Sequence, residues 1–143
     1  MGARTWAVAL TVLTTMVPTA TTLWGSTAWA SKADDLVEDA RERWHRGDMG
    51  GAESRLKAAL EADRTHVEAN VEMGTLKLMR NDLVMALQYA NAALAKDRKA
   101  AAALILFVRI NAFQGAAEVG LRKVEEIANQ FPNDAGALLA YGE

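Results

Sequence analysis

The chain has 143 residues, of which 51% are hydrophobic and 24% are charged, and its formal net charge at pH 7 is −2. This length suits a single domain, and the charge balance lacks the clustered Lys and Arg of a nucleic-acid-binding surface, so no nucleic-acid partner is expected. Because the sequence contains no cysteine, disulfides, thiol catalysis and thiolate metal sites are excluded.

The first thirty residues have the layout of a secretory signal peptide. A short start containing Arg4 precedes the mostly apolar run 6–17, and the small residues Ala28 and Ala30 form an A-x-A cleavage site. The alternative, a membrane anchor, needs about 20 apolar residues, and this run is shorter and rich in threonine. We therefore expect residues 1–30 to be cleaved and residues 31–143 to be periplasmic or secreted, with no stable membrane span after processing.

Six helices in three pairs are predicted for the remaining chain. Apolar residues recur three and four positions apart, which is the spacing of one helix face. The segments with this spacing are 36–44, 52–60, 71–78, 83–94, 104–113 and 119–127. Gly47, Asn81 and Gly115 separate the two helices of each pair, and these residue types tolerate the left-handed conformation that often ends a helix. Small residues in the second helices, at Ala52, Ala86 and Gly120, predict close helix–helix approach.

The three pairs form an internal repeat. Residues 33–66, 67–100 and 101–134 align with the same chemistry in the same phase, so the period is 34 residues. A fixed period in this range predicts an all-α solenoid in which each unit buries its apolar face on its neighbours. Residues 135–143 begin a fourth unit, and three outcomes stay open for them: a short helix docked through Leu138 and Tyr141, the front of a longer array, or completion by another copy of the protein.

The pattern resembles the tetratricopeptide repeat family, whose unit is a 34-residue helix–turn–helix. The fragments that carry the resemblance are Met73-Gly74, Ala86 with Ala93-Leu94, Leu104 with Phe107, Phe131-Pro132, and Leu138 with Tyr141-Gly142. The sequence departs from the family where it has Arg43, Lys77 and Asn111 in place of an aromatic residue. It departs again at Arg64 and Arg98, which stand where the family often has proline. The resemblance implies a right-handed solenoid of three repeats plus the start of a fourth.

The resemblance also implies that the first helix of each unit lines a concave groove. In this sequence the corresponding residues are Asp34, Val37, Arg41, Trp44 and His45; Glu68, Val71, Thr75, Leu78 and Met79; and Ala102, Ile105, Arg109, Ala112 and Phe113. An apolar strip edged by positive charge suits a peptide with hydrophobic anchors and an acidic group or C-terminus. Trp44 has two interpretations, a contact residue in the groove or a core residue.

The sequence disfavours one type of partner that some members of this family bind. Members that grip acidic chaperone tails use a clamp of Lys and Asn, and the corresponding positions here are Val37, Arg41, Glu72, Ala102 and Leu106. The clamp is therefore missing from this sequence.

Catalytic and metal sites are not indicated. His45 and His66 have no second histidine at metal-ligand spacing, no nucleophile has a motif around it, and no cofactor is expected. We expect His66 to be a solvated residue in a turn between units.

Three functions remain open at this stage. The first is a non-enzymatic protein-binding or peptide-binding scaffold in the cell envelope, the role that the resemblance implies. The second is an N-terminal docking module of a longer exported protein with its activity beyond residue 143, and the third is a scaffold that self-assembles as a homo-oligomer through its C-terminal end. The sequence does not identify the partner.

Overall fold

The structure, a computed structural model, describes the backbone of residues 23–134 and the side chains from residue 32 onward. That part of the chain is all-helical, as the sequence predicts. Its helices are α1 (Leu23–His45), α2 (Met49–Ala62), α3 (Val67–Met79), α4 (Leu83–Lys96), α5 (Ala101–Phe113) and α6 (Ala117–Gln130). Most of the predicted signal peptide (residues 1–22) and the predicted fourth unit (residues 135–143) lie outside the described residues.

The helix boundaries repeat with the period of the sequence. The second helices begin at Met49, Leu83 and Ala117, so each starts 34 residues after the one before it. The first helices of the second and third pairs show the same interval between Val67 and Ala101. Helix α1 is longer than its counterparts and passes through the predicted cleavage site at Ala28–Ala30. Cleavage after Ala30, which stays a prediction, would leave Ser31–His45 as the first helix.

The turns within the three pairs share one conformation. Gly47, Asn81 and Gly115 have φ of 81°, 61° and 75°, which confirms the left-handed residue predicted at this position. Asp48 and Asp82 follow the first two turns and accept hydrogen bonds from backbone N–H groups of the helices that begin there. The third turn has Ala116 at this position, with no side-chain cap for α6. All three pairs therefore share the turn conformation, but only the first two have an aspartate that caps the helix after the turn.

Small residues allow the two helices of each pair to approach closely, as predicted. Ala52 and Ala86 are fully buried. A Cβ atom added to Gly120 would lie 2.8 Å from Cα of Val108, and one added to Gly74 on α3 would lie 3.3 Å from the backbone oxygen of Ala86 on α4. In the third pair a larger residue on α5 therefore faces the missing side chain on α6, which conserves volume across the contact.

The first helices lie on the inner side of the stack. Helix α1 contacts α3, and α3 contacts α5, with Cα atoms within 8 Å. Within residues 23–134 the second helices α2, α4 and α6 make no such contact with one another; α2 contacts α3, and α4 contacts α5. Because the first helices are closer together than the second helices, the stack curves toward α1, α3 and α5.

An ion-pair cluster joins the first pair of helices to the second. Glu53 on α2 lies 2.8 Å from Nζ of Lys77, accepts a hydrogen bond from Arg80, and lies 3.3 Å from Nζ of Lys57. The hydrogen bond from Lys77 is the main reason why the pKa of Glu53 is lowered to about 2, and those from Arg80 and Lys57 lower it further. At the equivalent position in the next pair, Leu87 is partly buried against an apolar cluster that includes Leu106 and Ile110. The first junction therefore adds an ionic contact to the apolar cluster of Leu56, Ala59, Ala69 and Met73, whereas the second has an apolar residue at the position equivalent to Glu53.

Candidate functional site

The groove expected from the sequence corresponds to three rows of side chains on α1, α3 and α5. Residues four apart share one face of a helix, so each helix contributes one row. The rows are Val37, Arg41 and His45; Val71, Thr75 and Met79; and Ile105, Arg109 and Phe113. Since the three helices neighbour one another in series, the rows lie side by side.

Some of the expected groove residues are buried. Val37 is 2% exposed and belongs to a core cluster with Leu56 and Met73. Leu78 is 6% exposed and packs with Leu106 and Ile110. Val37 and Leu78 therefore pack in the core and present little surface to a partner.

The ends of α3 and α5 present large apolar side chains to solvent. Met79 is 60% exposed and Phe113 is 68% exposed, and each is the last residue of its helix. Behind them along the same rows, Val71 and Ile105 are half-buried against the core. Exposed apolar surface of this kind often marks a protein-interaction site.

Trp44 lines a cavity at the α1 end of the groove. The cavity has a volume of about 230 Å³ and is bounded by Arg41, Trp44, His45 and Glu72. Trp44 is half-buried, so part of its ring contributes to packing and part faces the cavity. The structure thus brings together three of the predicted groove residues on α1.

The positive charges of the groove differ in their partners. Nε of Arg41 donates to Oε1 of Glu72 at 2.8 Å, and Nη1 of Arg41 lies 3.6 Å from Oε2 of Glu38. The hydrogen bond with Glu72 is the main cause of a raised pKa for Arg41. Arg109 on α5 is exposed, and among residues 32–134 no carboxylate lies within ion-pair distance of it. The sequence predicted positive charge at both places, but only Arg109 is free of an internal acidic partner in the described part of the chain.

His66 was wrongly expected to be a solvated residue. It is buried at the N-terminus of α3, where Nδ1 accepts a hydrogen bond from the N–H of Ala69 at 3.2 Å. Because Nδ1 is an acceptor, the proton of the neutral ring is on Nε2, which donates to Oδ1 of Asp34 on α1 at 2.8 Å. His66 therefore caps one helix and links it to another. Its position as the last residue of the first repeat, just before the second repeat begins, was the available signal, since a side-chain acceptor often precedes a helix.

Metal binding has no support in the described part of the chain. No group of three or more His, Asp or Glu side chains among residues 32–134 is placed to hold a metal ion.

None of the helices from α1 to α6 is long and apolar enough to cross a membrane.

Comparisons with known proteins bear on the fold. No family model matches the sequence, and no curated protein matches it significantly. Among solved structures, the chain is similar to the C-terminal TPR-containing domain of a Plasmodium falciparum protein described as an FK506-binding protein. The TM-score is 0.58 at 19% sequence identity, over 80% of this chain and 86% of that one. The described part of the chain therefore has a tetratricopeptide-like helical-repeat fold.

Proposed function

We propose that this protein is a non-enzymatic scaffold that binds a peptide segment of a partner protein in the groove formed by α1, α3 and α5. The observation that carries the proposal is the exposure of Met79 and Phe113 on the inner helices. An exposed Phe at the rim of a half-buried apolar row is a ready anchor site, because burying it on binding gains free energy without unfolding anything.

The partner segment should carry large apolar side chains. One of them would cover Phe113 and Met79, and another would reach the cavity beside Trp44, which is open to solvent. A short segment held by a few such contacts binds in the micromolar range, near −8 kcal/mol. Trp and Arg are frequent energetic centres of interfaces, so Trp44 is expected to contribute together with Phe113.

We place this activity in the cell envelope. The support is the signal-peptide pattern of residues 1–30, together with the resemblance to exported repeat proteins that act in outer-membrane assembly, pilus biogenesis or exopolysaccharide secretion. Expression of the full chain in a bacterial host, followed by mass spectrometry of the periplasmic fraction, tests this part. A product that begins at Ser31 supports export, whereas an intact chain retained in the cytoplasm contradicts it.

Binding is tested with peptides selected from a random library displayed on phage. Phe113→Ala and Trp44→Ala should each weaken binding of a fluorescein-labelled selected peptide by about 2 kcal/mol, measured by fluorescence anisotropy. Val84→Ala is the matched control, because Val84 is an apolar residue 68% exposed on the outer helix α4. Equal affinity for all three variants and the original protein would remove the groove as the binding site.

Self-assembly is a second candidate because part of α6 is uncovered. Leu121 stands 34 residues after Leu87, which is partly buried against an apolar cluster that includes residues of α5. Leu121 and the nearby Val119 are instead exposed. A second copy covering this face would make a homo-oligomer. Light scattering over a dilution series distinguishes the cases: a mass that falls on dilution supports assembly, and a constant monomer mass excludes it.

A further inference from the structure

We propose that the groove recognises a carboxylate of its partner at Arg109, one helical turn from Phe113, and disfavours the same carboxylate near α1 and α3. This inference rests on the proposed function, since it assigns a position within the same groove. If Arg109 binds the acidic group, it also determines where along the groove the partner lies.

Arg109 is available for an external acid. It lies four residues after Ile105 and four before Phe113, so the cation stands between two apolar side chains on one face of α5. The groove positions of the third repeat include no carboxylate, since the remaining two are Ala102 and Ala112. Arg109 is exposed, and among the described side chains it has no ion-pair partner. An acidic residue next to an apolar anchor would complete both contacts at once.

The seam between α1 and α3 has the opposite charge. Its four carboxylates are Asp34, Glu38, Glu68 and Glu72. Glu38 and Glu72 lie beside Arg41, at 3.6 and 2.8 Å from its nitrogens. Asp34 and Glu68 lie beside the two ring nitrogens of His66, at 2.8 and 3.6 Å. In the described part of the chain these contacts set four carboxylates against one guanidinium and one imidazole, so acidic groups outnumber basic ones at the seam.

The two ends of the groove therefore treat an acidic ligand differently. At α5 a carboxylate of the partner can pair with the guanidinium of Arg109. At the α1–α3 seam it would lie beside other carboxylates, and Arg41 is already paired with Glu72. Because like charges repel across an interface, a partner placed with its acidic residue at this seam would bind more weakly. A partner with one acidic residue beside an apolar anchor should consequently bind with that residue at α5 and its remaining length toward α1.

The experiment uses the full chain and a random peptide library displayed on phage. Peptides selected by the original protein should be enriched in Asp or Glu next to a large apolar residue. Selection by Arg109→Gln should keep the apolar enrichment and lose the acidic one. Arg122→Gln is the matched control, because Arg122 is an exposed arginine on the outer helix α6 that also lacks an ion-pair partner in the described residues. This control should select the same acidic peptides as the original protein.

Charge reversal then tests the contact itself. For a selected peptide, Arg109→Glu should weaken binding about tenfold, and a peptide with its acidic residue changed to Lys should recover that loss on the variant. Apolar enrichment without acidic enrichment would overturn the role of Arg109 while leaving the groove function standing. Acidic enrichment that survives Arg109→Gln would place the acid elsewhere and also overturn it. Failure to select any peptide would count against the proposed function itself, and a circular dichroism spectrum matching the original protein confirms that each variant is folded.

Discussion

Replacing Glu53 by Gln should weaken the junction between the first and second helix pairs. The carboxylate, which belongs to α2, is 14% exposed and accepts hydrogen bonds from Lys77 on α3 and from Arg80, the residue that follows α3. The amide that replaces it keeps the shape of the side chain but loses the charge. Both cations would then remain beside a neutral group at the place where the two pairs meet.

The magnitude follows from the pKa of Glu53, which is lowered from 4.5 to about 2. If the whole difference in pKa between the folded and unfolded chain contributed, it would correspond to roughly 3 kcal/mol of the free energy of unfolding. The side chains of Arg80 and Lys57 are 45% and 61% exposed, so solvent screens part of the interaction and about 1–2 kcal/mol is expected. Because the pKa is lower in the folded chain, this stability is fully present above about pH 5 and is lost as the pH falls toward about 2.

Urea unfolding followed by circular dichroism measures the effect. Glu53→Gln should cost about 1–2 kcal/mol at neutral pH and less than half of that at about pH 3, where the original protein has already lost most of the contribution. Glu42→Gln is the control, since its pair with Arg46 is 3.8 Å apart and exposed on both sides, and its cost should stay below about 0.5 kcal/mol. An equal loss for Glu53→Gln at both pH values would show that the negative charge of the carboxylate is not what stabilises the junction.

Two further substitutions probe the stack. Gly120→Ala should cost about 1–3 kcal/mol in urea unfolding, because its Cβ would lie 2.8 Å from Cα of Val108. Gly50→Ala, with no atom within 4 Å of the added carbon, should leave stability unchanged or raise it, and a similar loss at both sites would argue against the close contact. His66→Ala should cost about 1 kcal/mol through loss of the α3 cap, and His66→Asn should recover part of it in the same assay because Asn also caps helices; no recovery would assign the stabilisation to the contact with Asp34.

The fold was predictable because its signals are local. Gly47, Asn81 and Gly115 marked each turn from residue type alone, and their positive φ confirms it. The close helix contact at Gly120 was predicted by comparing the repeats in one phase, and the 2.8 Å between an added Cβ and Cα of Val108 confirms it.

The charges of the groove were less predictable because they depend on distant partners. Arg41 and Glu72 are 31 residues apart, and His66 and Asp34 are 32 apart. Side chains separated by about one repeat meet only when the units stack, so their pairing depends on the exact rotation of one unit against the next. The sequence placed Arg41 and Arg109 at equivalent groove positions, and only the structure distinguishes the paired arginine from the free one.

Thiol labelling at two exposed apolar positions tests the groove most directly. The chain has no cysteine, so Met79→Cys on the inner helix α3 and Val84→Cys on the outer helix α4 each introduce a single thiol, and the original residues are similarly exposed. A saturating selected peptide should slow alkylation of the thiol at position 79 and leave the rate at position 84 unchanged. Protection at position 84 with none at position 79 would place the partner on the outer surface and contradict the account.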